Sequence, residues 1–98
     1  MELDRIFDAL ASGPRRGMLA SLAQTELTTT ELAGRFAMSP PAVSRHLSVL
    51  ENAGLVASRR GGQRVLYSLV RDTLVDALGE FTAQLSPAAP PRKAREAI

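Results

Sequence analysis

The sequence predicts a mainly α-helical domain of about five helices that carries one β-hairpin. Two patterns support this fold class. Apolar residues recur at spacings of three and four in five separate segments, which is the period of a helix with one buried face. Two short strand-like runs, 55–60 and 63–70, flank Gly61-Gly62 between the fourth and fifth segments, and glycines in that position are typical of a hairpin turn.

Length and composition are those of a single globular domain. The 98 residues are enough for one modest core, and 45% hydrophobic with 22% charged residues is an ordinary balance. The absence of cysteine excludes disulfides, thiolate metal sites and cysteine nucleophiles. No apolar run is long enough for a signal peptide or a membrane span. We therefore expect a cytoplasmic location and no membrane partner.

The first two helices are separated by a Ser-Gly-Pro sequence at residues 12–14. The apolar stripe of the first helix consists of Leu3, Ile6, Phe7 and Leu10. Pro14 suits the opening turn of the second helix, where its missing N–H group costs no hydrogen bond. The buried face of the second helix is predicted to consist of Met18, Leu19 and Leu22.

The third and fourth helices each have a recognisable start. Thr28 and Glu31 fit a capping box, in which each side chain accepts from the other residue's backbone amide. After a three-residue break, Ser39 caps the fourth helix and Pro40 occupies its first position. Gly54 suits the left-handed conformation that ends a helix. The apolar anchors are Leu32 and Phe36 in the third helix and Val43, Leu47 and Leu50 in the fourth.

A last helix is predicted from about Asp72 to Leu85. Together, the apolar stripes of the first and last helices are more than so small a domain can easily cover, which predicts a homodimer through these two helices. The predicted interface consists of Leu3, Ile6, Phe7, Leu10, Leu74, Leu78, Phe81 and Leu85. The domain is predicted to span residues 1–86, and the proline-rich, basic residues 87–98 are expected to form a mobile tail.

The order of these elements predicts a winged helix-turn-helix, in which the fourth helix enters the major groove of DNA and the hairpin forms the wing. Arg45 can donate two hydrogen bonds to a guanine, and Ser44 can reach a base or a phosphate. The amino end of the helix and His46 at its flank suit phosphates. The predicted contacts of this helix are Ser39, Pro41, Ala42, Ser44, Arg45, His46 and Ser48.

Positive charge is concentrated in the part of the chain that would meet DNA. Residues 35–71 hold six arginines against one acid, a net charge of +5, whereas residues 1–34 and 72–98 carry −2 and −1. A basic middle between acidic ends is typical of a face that binds a polyanion. Arginines on a thin β-ribbon suit a minor groove or its phosphate edges, so the predicted wing contacts are Arg59, Arg60, Gln63 and Arg64.

Two stretches carry a resemblance to a known family: AVSRHLSVLENAGLV and RRGGQRVLYSL. Over about residues 4–85 the chain resembles the ArsR/SmtB-type winged-helix transcriptional repressors, and it is most similar to their cysteine-free, SdpR-like branch. The resemblance implies a homodimer that binds a palindromic, inverted-repeat operator in double-stranded DNA and represses transcription, including its own. Pro40 stands where the family usually has Gln, so one base-reading side chain is missing here.

No metal site and no cofactor is predicted. Asp72, Asp76 and Glu80 lie at four-residue spacing, but carboxylates without imidazole or thiolate make a poor transition-metal site. An enzyme is not predicted either, because the only histidine lies on the proposed DNA helix and no catalytic set accompanies it. The alternatives left open are a small-ligand-responsive or metal-responsive regulator of the same fold, and a winged-helix module that binds protein or RNA. The scarcity of aromatic residues argues against the latter.

Overall fold

The computed structural model of the protein describes residues 3–87 and contains the predicted elements in the predicted order. The chain forms a winged helix-turn-helix with five helices and one antiparallel hairpin. The elements are α1 (Leu3–Leu10), α2 (Gly13–Gln24), α3 (Thr29–Phe36), α4 (Pro40–Asn52), β1 (Val56–Gly61), β2 (Arg64–Leu69) and α5 (Arg71–Leu85). Residues 88–98 of the predicted tail lie outside the described residues, so its mobility stays a prediction.

Three of the helices begin at side-chain caps, and the two at Thr28 and Ser39 were predicted from the sequence. The Ser12 hydroxyl accepts from the Arg15 amide, and the Ser39 hydroxyl accepts from the Ala42 amide, each at 3.3 Å. Between Thr28 and Glu31 both hydrogen bonds of the capping box are present, at 2.9 and 3.1 Å. Each bond satisfies an amide that the helix itself leaves without a partner, which is why these local sequences place the helix starts.

The carboxyl end of α1 is closed by side chains from α2. Arg15 donates to the Asp8 and Ala9 carbonyl oxygens at 3.0 and 2.8 Å, and Arg16 donates to the Leu10 carbonyl oxygen at 2.6 Å. Cationic donors are favourable at this end of a helix, where the last carbonyls lack intrahelical partners. These bonds fix the angle between the first two helices, and the sequence pattern did not predict them.

The turn of the helix-turn-helix passes through Ala37, which has a left-handed backbone with a φ of 52°. Its amide donates to the Ala33 carbonyl, and so does the amide of Met38 at 3.1 Å. Three residues thus separate α3 from α4, and Ser39 follows directly as the cap of the next helix. This short turn sets the direction in which α4 leaves the body of the domain.

One hydrophobic core joins α1–α4 to the base of the hairpin. Of the predicted inward residues of α2, α3 and α4, Phe36 is half-buried and packs against the core, and the others are buried: Met18, Leu19, Leu22, Leu32, Val43, Leu47 and Leu50. Leu27 forms an isolated antiparallel β-bridge with Tyr67 of β2, and the two residues exchange backbone hydrogen bonds of 3.1 and 2.8 Å. This bridge attaches the wing to the segment between α2 and α3.

The hairpin turn lies one residue later than predicted. Gly61 pairs with Arg64 inside the ladder, so Gly62 and Gln63 form the two-residue turn rather than Gly61 and Gly62. Gly62 has a φ of +68°, whereas Gln63 is not among the positive-φ residues. A positive φ at the first of two central residues is the requirement of a type II′ turn, which glycine meets without strain.

The last helix differs from the others in its burial. It starts at Arg71, one residue before the predicted start, and Val70 at its cap supplies no side-chain hydrogen bond. Only Ala77 in α5 is buried, and Leu78, Phe81 and Leu85 are 42%, 37% and 66% exposed. Within residues 3–87, no helix combines the length and the apolar character needed to cross a bilayer.

Candidate nucleic-acid interface

The polar face of α4 points away from the core. Pro41, Ser44, Arg45 and Ser48 are exposed, while Val43, Leu47 and Leu50 on the opposite face are buried. Ala42 is half-buried, and the Ser39 hydroxyl is occupied by the cap bond. Within the described part of the chain Arg45 makes no hydrogen bond or ion pair. Its guanidinium is therefore free to bind a base edge or a phosphate.

His46 lies at the flank of this face, half-buried against α2. Its Nδ1 atom is 3.2 Å from Nη1 of Arg15. Burial lowers the pKa of His46 below its ordinary value of 6.5, and the positive charges of Arg15 and Arg45 lower the pKa further. Both effects favour the neutral form of the ring, in which one nitrogen donates a hydrogen bond and the other accepts one.

The two arginines at the end of β1 have different surroundings. Arg59 forms a two-pronged ion pair with Glu26, with Nε and Nη2 at 2.8 and 2.7 Å from the carboxylate oxygens. This hydrogen bonding lowers the pKa of Glu26 and raises that of Arg59. Neighbouring side chains on a strand point to opposite faces, which is why Arg59 and Arg60 do not act as the pair that the sequence suggested. Within residues 3–87, Arg60 takes part in no ion pair.

The wing tip and the start of α3 enclose a cleft of about 500 Å³. Gln63 and Arg64 line one side of this cleft, and Thr29 and Thr30 line the other. The pKa of Glu31 at its base is lowered by hydrogen bonds from Thr28 and, to a smaller extent, by the charges of Arg64 and Arg35. The start of α3 and the wing therefore share one surface, although sequence reasoning named only the wing residues.

The predicted dimer residues divide into buried and accessible ones. Ile6 is 1% exposed and belongs to the protomer's own core, so it offers no area to a partner, contrary to the sequence-based prediction. Leu3, Leu10 and Leu74 are half-buried at the edge of the core. Phe7 packs edge-on against Phe81, with ring centroids 5.2 Å apart, and this contact joins α1 to α5. Leu78 and Leu85 remain exposed.

An apolar groove of about 390 Å³ lies between α2 and α5, and the exposed Leu78 is part of its lining. Leucine and alanine side chains make up nearly all of its lining, and Arg16 is the only charged residue there: Leu10, Arg16, Leu19, Ala20, Ala23, Leu69, Leu74 and Leu78. Exposed apolar surface of this kind, continuous with an exposed helix face, is typical of a protein–protein interface.

Asp72, Asp76 and Glu80 are exposed along α5. Among the residues that the structure describes, no three His, Asp or Glu side chains come together as ligands. Two residues that sequence reasoning did not single out do take part in the site. Arg15 contacts His46, and Glu26 holds Arg59. Both contacts join positions more than thirty residues apart, so no local signal could have revealed them.

Known proteins share this sequence pattern. The model of the arsR family of bacterial regulatory proteins matches residues 8–58. The chain is 47% identical over 66 residues to the HTH-type transcriptional regulator Rv2034 of Mycobacterium tuberculosis. This match covers 67% of this chain and 62% of Rv2034, which is less than two thirds of that protein's length. It is 32% identical over 76 residues to the transcriptional repressor SdpR of Bacillus subtilis, covering 78% of this chain and 84% of the repressor.

Solved structures share the fold as well. An ArsR-like transcriptional regulator from Rhodococcus sp. RHA1 superposes with a TM-score of 0.75 at 28% identity, covering 85% of this chain and 81% of that one. The homodimeric winged helix-turn-helix DNA-binding domain of Mb0332 from Mycobacterium bovis superposes with a TM-score of 0.70 at 34% identity. That match covers 83% of this chain and 77% of the Mb0332 domain.

Proposed function

Because the chain belongs to the ArsR family of bacterial regulatory proteins, we propose that it acts as a homodimeric repressor on an inverted-repeat DNA operator. The family and the relatives above are DNA-binding transcriptional regulators and not enzymes. The operator, the residues that read it and the way in which repression is controlled are the subject of the proposal.

One observation supports the DNA-binding surface above all others. The exposed side of α4 presents Ser44, Arg45 and Ser48 to solvent, and the side chain of Arg45 has no partner within residues 3–87. A capped helix that keeps an unpaired guanidinium on its outer face fits the major groove, where arginine binds the O6 and N7 atoms of guanine. Ala42 and Pro41 would meet a thymine methyl group at the start of the helix.

The wing supplies the contacts that do not depend on base sequence. Arg60, Gln63 and Arg64 are exposed around the turn and face an adjacent groove or its phosphates. Arg59 is left out of this set because Glu26 already binds its guanidinium. The amino end of α4 at Ser39 and the His46 side chain would add phosphate contacts beside the exposed, base-contacting side of α4.

A dimer follows from the apolar surface of α5 and α1. Leu78, Phe81 and Leu85 are exposed in the protomer, and Leu78 also lines the apolar groove between α2 and α5. Mb0332, which shares the fold, is homodimeric. Two protomers related by a twofold axis would place their α4 helices in successive major grooves, about 34 Å apart, and so read a palindrome. We propose further that the promoter of the protein's own gene carries such a site.

Metal does not control the proposed repressor. The acidic side chains of α5 lack an imidazole or thiolate partner among residues 3–87, and softer divalent ions prefer such ligands. We expect operator affinity to be unchanged by added zinc or nickel and by chelator. A tenfold change in affinity with either ion would instead place the protein among the metal-responsive regulators of this fold.

The first experiment is a selection of bound fragments from the genomic DNA of the source organism at a stated salt concentration. We expect palindromic sites, one of them in the protein's own promoter. Operator affinity is then measured by fluorescence anisotropy against a scrambled duplex. Equal affinity for both duplexes at every salt concentration would contradict sequence-specific binding.

A pair of variants tests whether Arg45 reads a base. Arg45→Ala should lose about 1–3 kcal/mol of discrimination at one operator position, because the two hydrogen bonds to guanine are removed. Arg35→Ala removes the same charge from the exposed end of α3 and should weaken binding equally on all sequences. Uniform weakening in both variants would remove Arg45 from the base-reading set.

A further inference from the structure

A single arginine, Arg15, connects the end of α1 to α4. All three nitrogen positions of the Arg15 guanidinium are in use: Nε binds the Ala9 carbonyl at 2.8 Å, Nη2 binds the Asp8 carbonyl at 3.0 Å, and Nη1 lies 3.2 Å from Nδ1 of His46. Two of these contacts anchor the guanidinium on rigid helical backbone. The third therefore reaches His46 from a fixed position.

The chemistry of this contact determines where the proton of the imidazole lies. An arginine side chain is always protonated and can only donate hydrogen bonds. Nδ1 of His46 must then be the acceptor, so in the neutral ring the hydrogen is on Nε2. Within residues 3–87, Nε2 has no hydrogen-bond partner, and it belongs to a half-buried side chain at the flank of the exposed face of α4.

We propose that Arg15 is a positioning residue for DNA binding, which holds the His46 ring so that its Nε2–H group is presented to a phosphate of the operator. The proposal rests on the proposed function, since it assumes that α4 meets DNA. Arg15 itself does not touch the DNA. It acts through His46, and it couples the orientation of that donor to the end of α1, the helix that we place in the dimer.

The charged groups around the ring support this role. Arg15 from α2 and Arg45 from α4 both act on it, and both are cations that disfavour imidazolium. A protonated ring would have lost its acceptor and would repel Arg15. The arrangement therefore keeps His46 in the one neutral form in which Nδ1 receives a bond and Nε2 offers one.

A titration of the free protein tests the contact. The chain has one histidine, so the imidazole proton resonances of a tag-free preparation belong to His46 without further assignment. Arg15→Met removes a neighbouring cation and should raise the pKa of His46 above its wild-type value. Arg16→Met is the matched control, since Arg16 binds the same end of α1 through Leu10. If both variants leave the same pKa as in the wild type, the contact does not exist in solution.

A double-mutant cycle tests the function of the contact. Operator affinity is measured for the wild type, Arg15→Met, His46→Ala and the double variant, after thermal unfolding has verified that each is folded. Arg15→Met should weaken binding about tenfold in the wild type, because one positioned donor is lost, and less than about twofold once His46 is absent. Additive losses would show that Arg15 acts on DNA directly or through stability alone, and would overturn the proposal.

Two substitutions at His46 keep the test open if Arg15→Met fails to fold. His46→Gln retains an amide donor near the position of Nε2, whereas His46→Asn retains a polar group only near Nδ1. Glutamine should bind operator within about threefold of the wild type and asparagine at least about tenfold more weakly. The opposite order would overturn the proposal. If the wild type binds no operator, the proposed function fails instead, and the titration still decides whether the contact exists.

Discussion

The fourth and fifth helices have similar apolar stripes and opposite surroundings. In α4, Val43, Leu47 and Leu50 are at most 1% exposed, so the apolar face is fully used inside the protomer. In α5 the stripe of Leu78, Phe81 and Leu85 stays between 37% and 66% exposed, and only Ala77 is buried. The helix whose apolar face is covered offers its polar face to a partner, and the helix whose apolar face is left open offers that face instead.

This difference supports the proposal that the two helices bind different partners. A polar, basic helix face fits the major groove, whose edges present hydrogen-bonding groups. An apolar face with a neighbouring apolar groove fits a second protein surface that excludes water. We therefore expect substitutions on the buried face of α4 to affect folding and substitutions on the apolar face of α5 to affect association. Substitutions on the polar face of α4 should affect DNA binding.

The largest expected effect is on folding and comes from the covered stripe. Leu47→Ala should lower the free energy of unfolding by about 2–5 kcal/mol, because it removes apolar atoms from a fully buried site and leaves a cavity there. Leu85→Ala, at a position that is 66% exposed, should cost less than about 0.5 kcal/mol in the monomer. Urea unfolding at low protein concentration measures both. Equal losses would mean that the two stripes do not differ.

The next effect is on association. Phe81→Asp should raise the dimer dissociation constant by at least about 100-fold, since the interface would have to bury an unpaired carboxylate. Sedimentation velocity over a range of concentrations gives the constant, and circular dichroism shows whether the monomer stays folded after losing the contact with Phe7. Glu80→Gln, on an exposed neighbour, is the control. A dimer that persists at low micromolar concentration in Phe81→Asp would place the interface elsewhere.

A smaller effect separates the two wing arginines in their contribution to salt dependence. In the proposed homodimer, Arg60→Ala removes one phosphate contact from each protomer and should reduce the slope of log affinity against log salt concentration by about two, or about one per lost contact. Arg59→Ala should change the slope little, since that guanidinium is already neutralised by Glu26. The slopes are obtained from operator titrations at several salt concentrations. If Arg59→Ala changed the slope as much as Arg60→Ala, DNA would displace Glu26 from Arg59.

The smallest effect is a pH dependence of stability that comes from His46, which lies on α4 and packs against α2. Because the pKa of His46 is lowered in the folded state, the unfolded chain binds more protons below the ordinary value of 6.5. The contribution of His46 to the stability of the folded state is therefore complete above pH 6.5. It is lost as the pH falls through the folded-state pKa of His46. Urea midpoints at about pH 7.5 and about pH 5.5 should differ more for the wild type than for His46→Gln. An identical pH dependence in both would remove His46 as its source.

Much of the fold was predictable because its determinants are local. The predicted caps at Thr28 and Ser39 act over three residues, and the helical period repeats every three to four. The hairpin was predicted with its turn one residue too early. The Gly61-Gly62 pair left two possible turn positions, and the pairing of Gly61 with Arg64 selected the later one.

The candidate site was predictable only in part. The exposed face of α4 followed from the helical wheel, and Arg45 lies on it as expected. The assignment of Ile6 to the dimer interface was wrong because its side chain lies in the core of the protomer, and the sequence did not reveal the ion pair between Arg59 and Glu26. Charge and hydropathy describe what a side chain can bind, whereas its actual partner depends on which other element lies next to it.

The sequence by itself determined the order of the helices and the hairpin, the positions where helices start, and the basic character of the central segment. Tertiary structure alone decided which apolar stripe is covered, which wing arginine is paired, and that Arg15 meets His46 across 31 positions of the chain. The physical reason is one of range. Periodicity and capping act between residues a turn apart, while burial and ion pairing depend on atoms that come together only when distant segments pack.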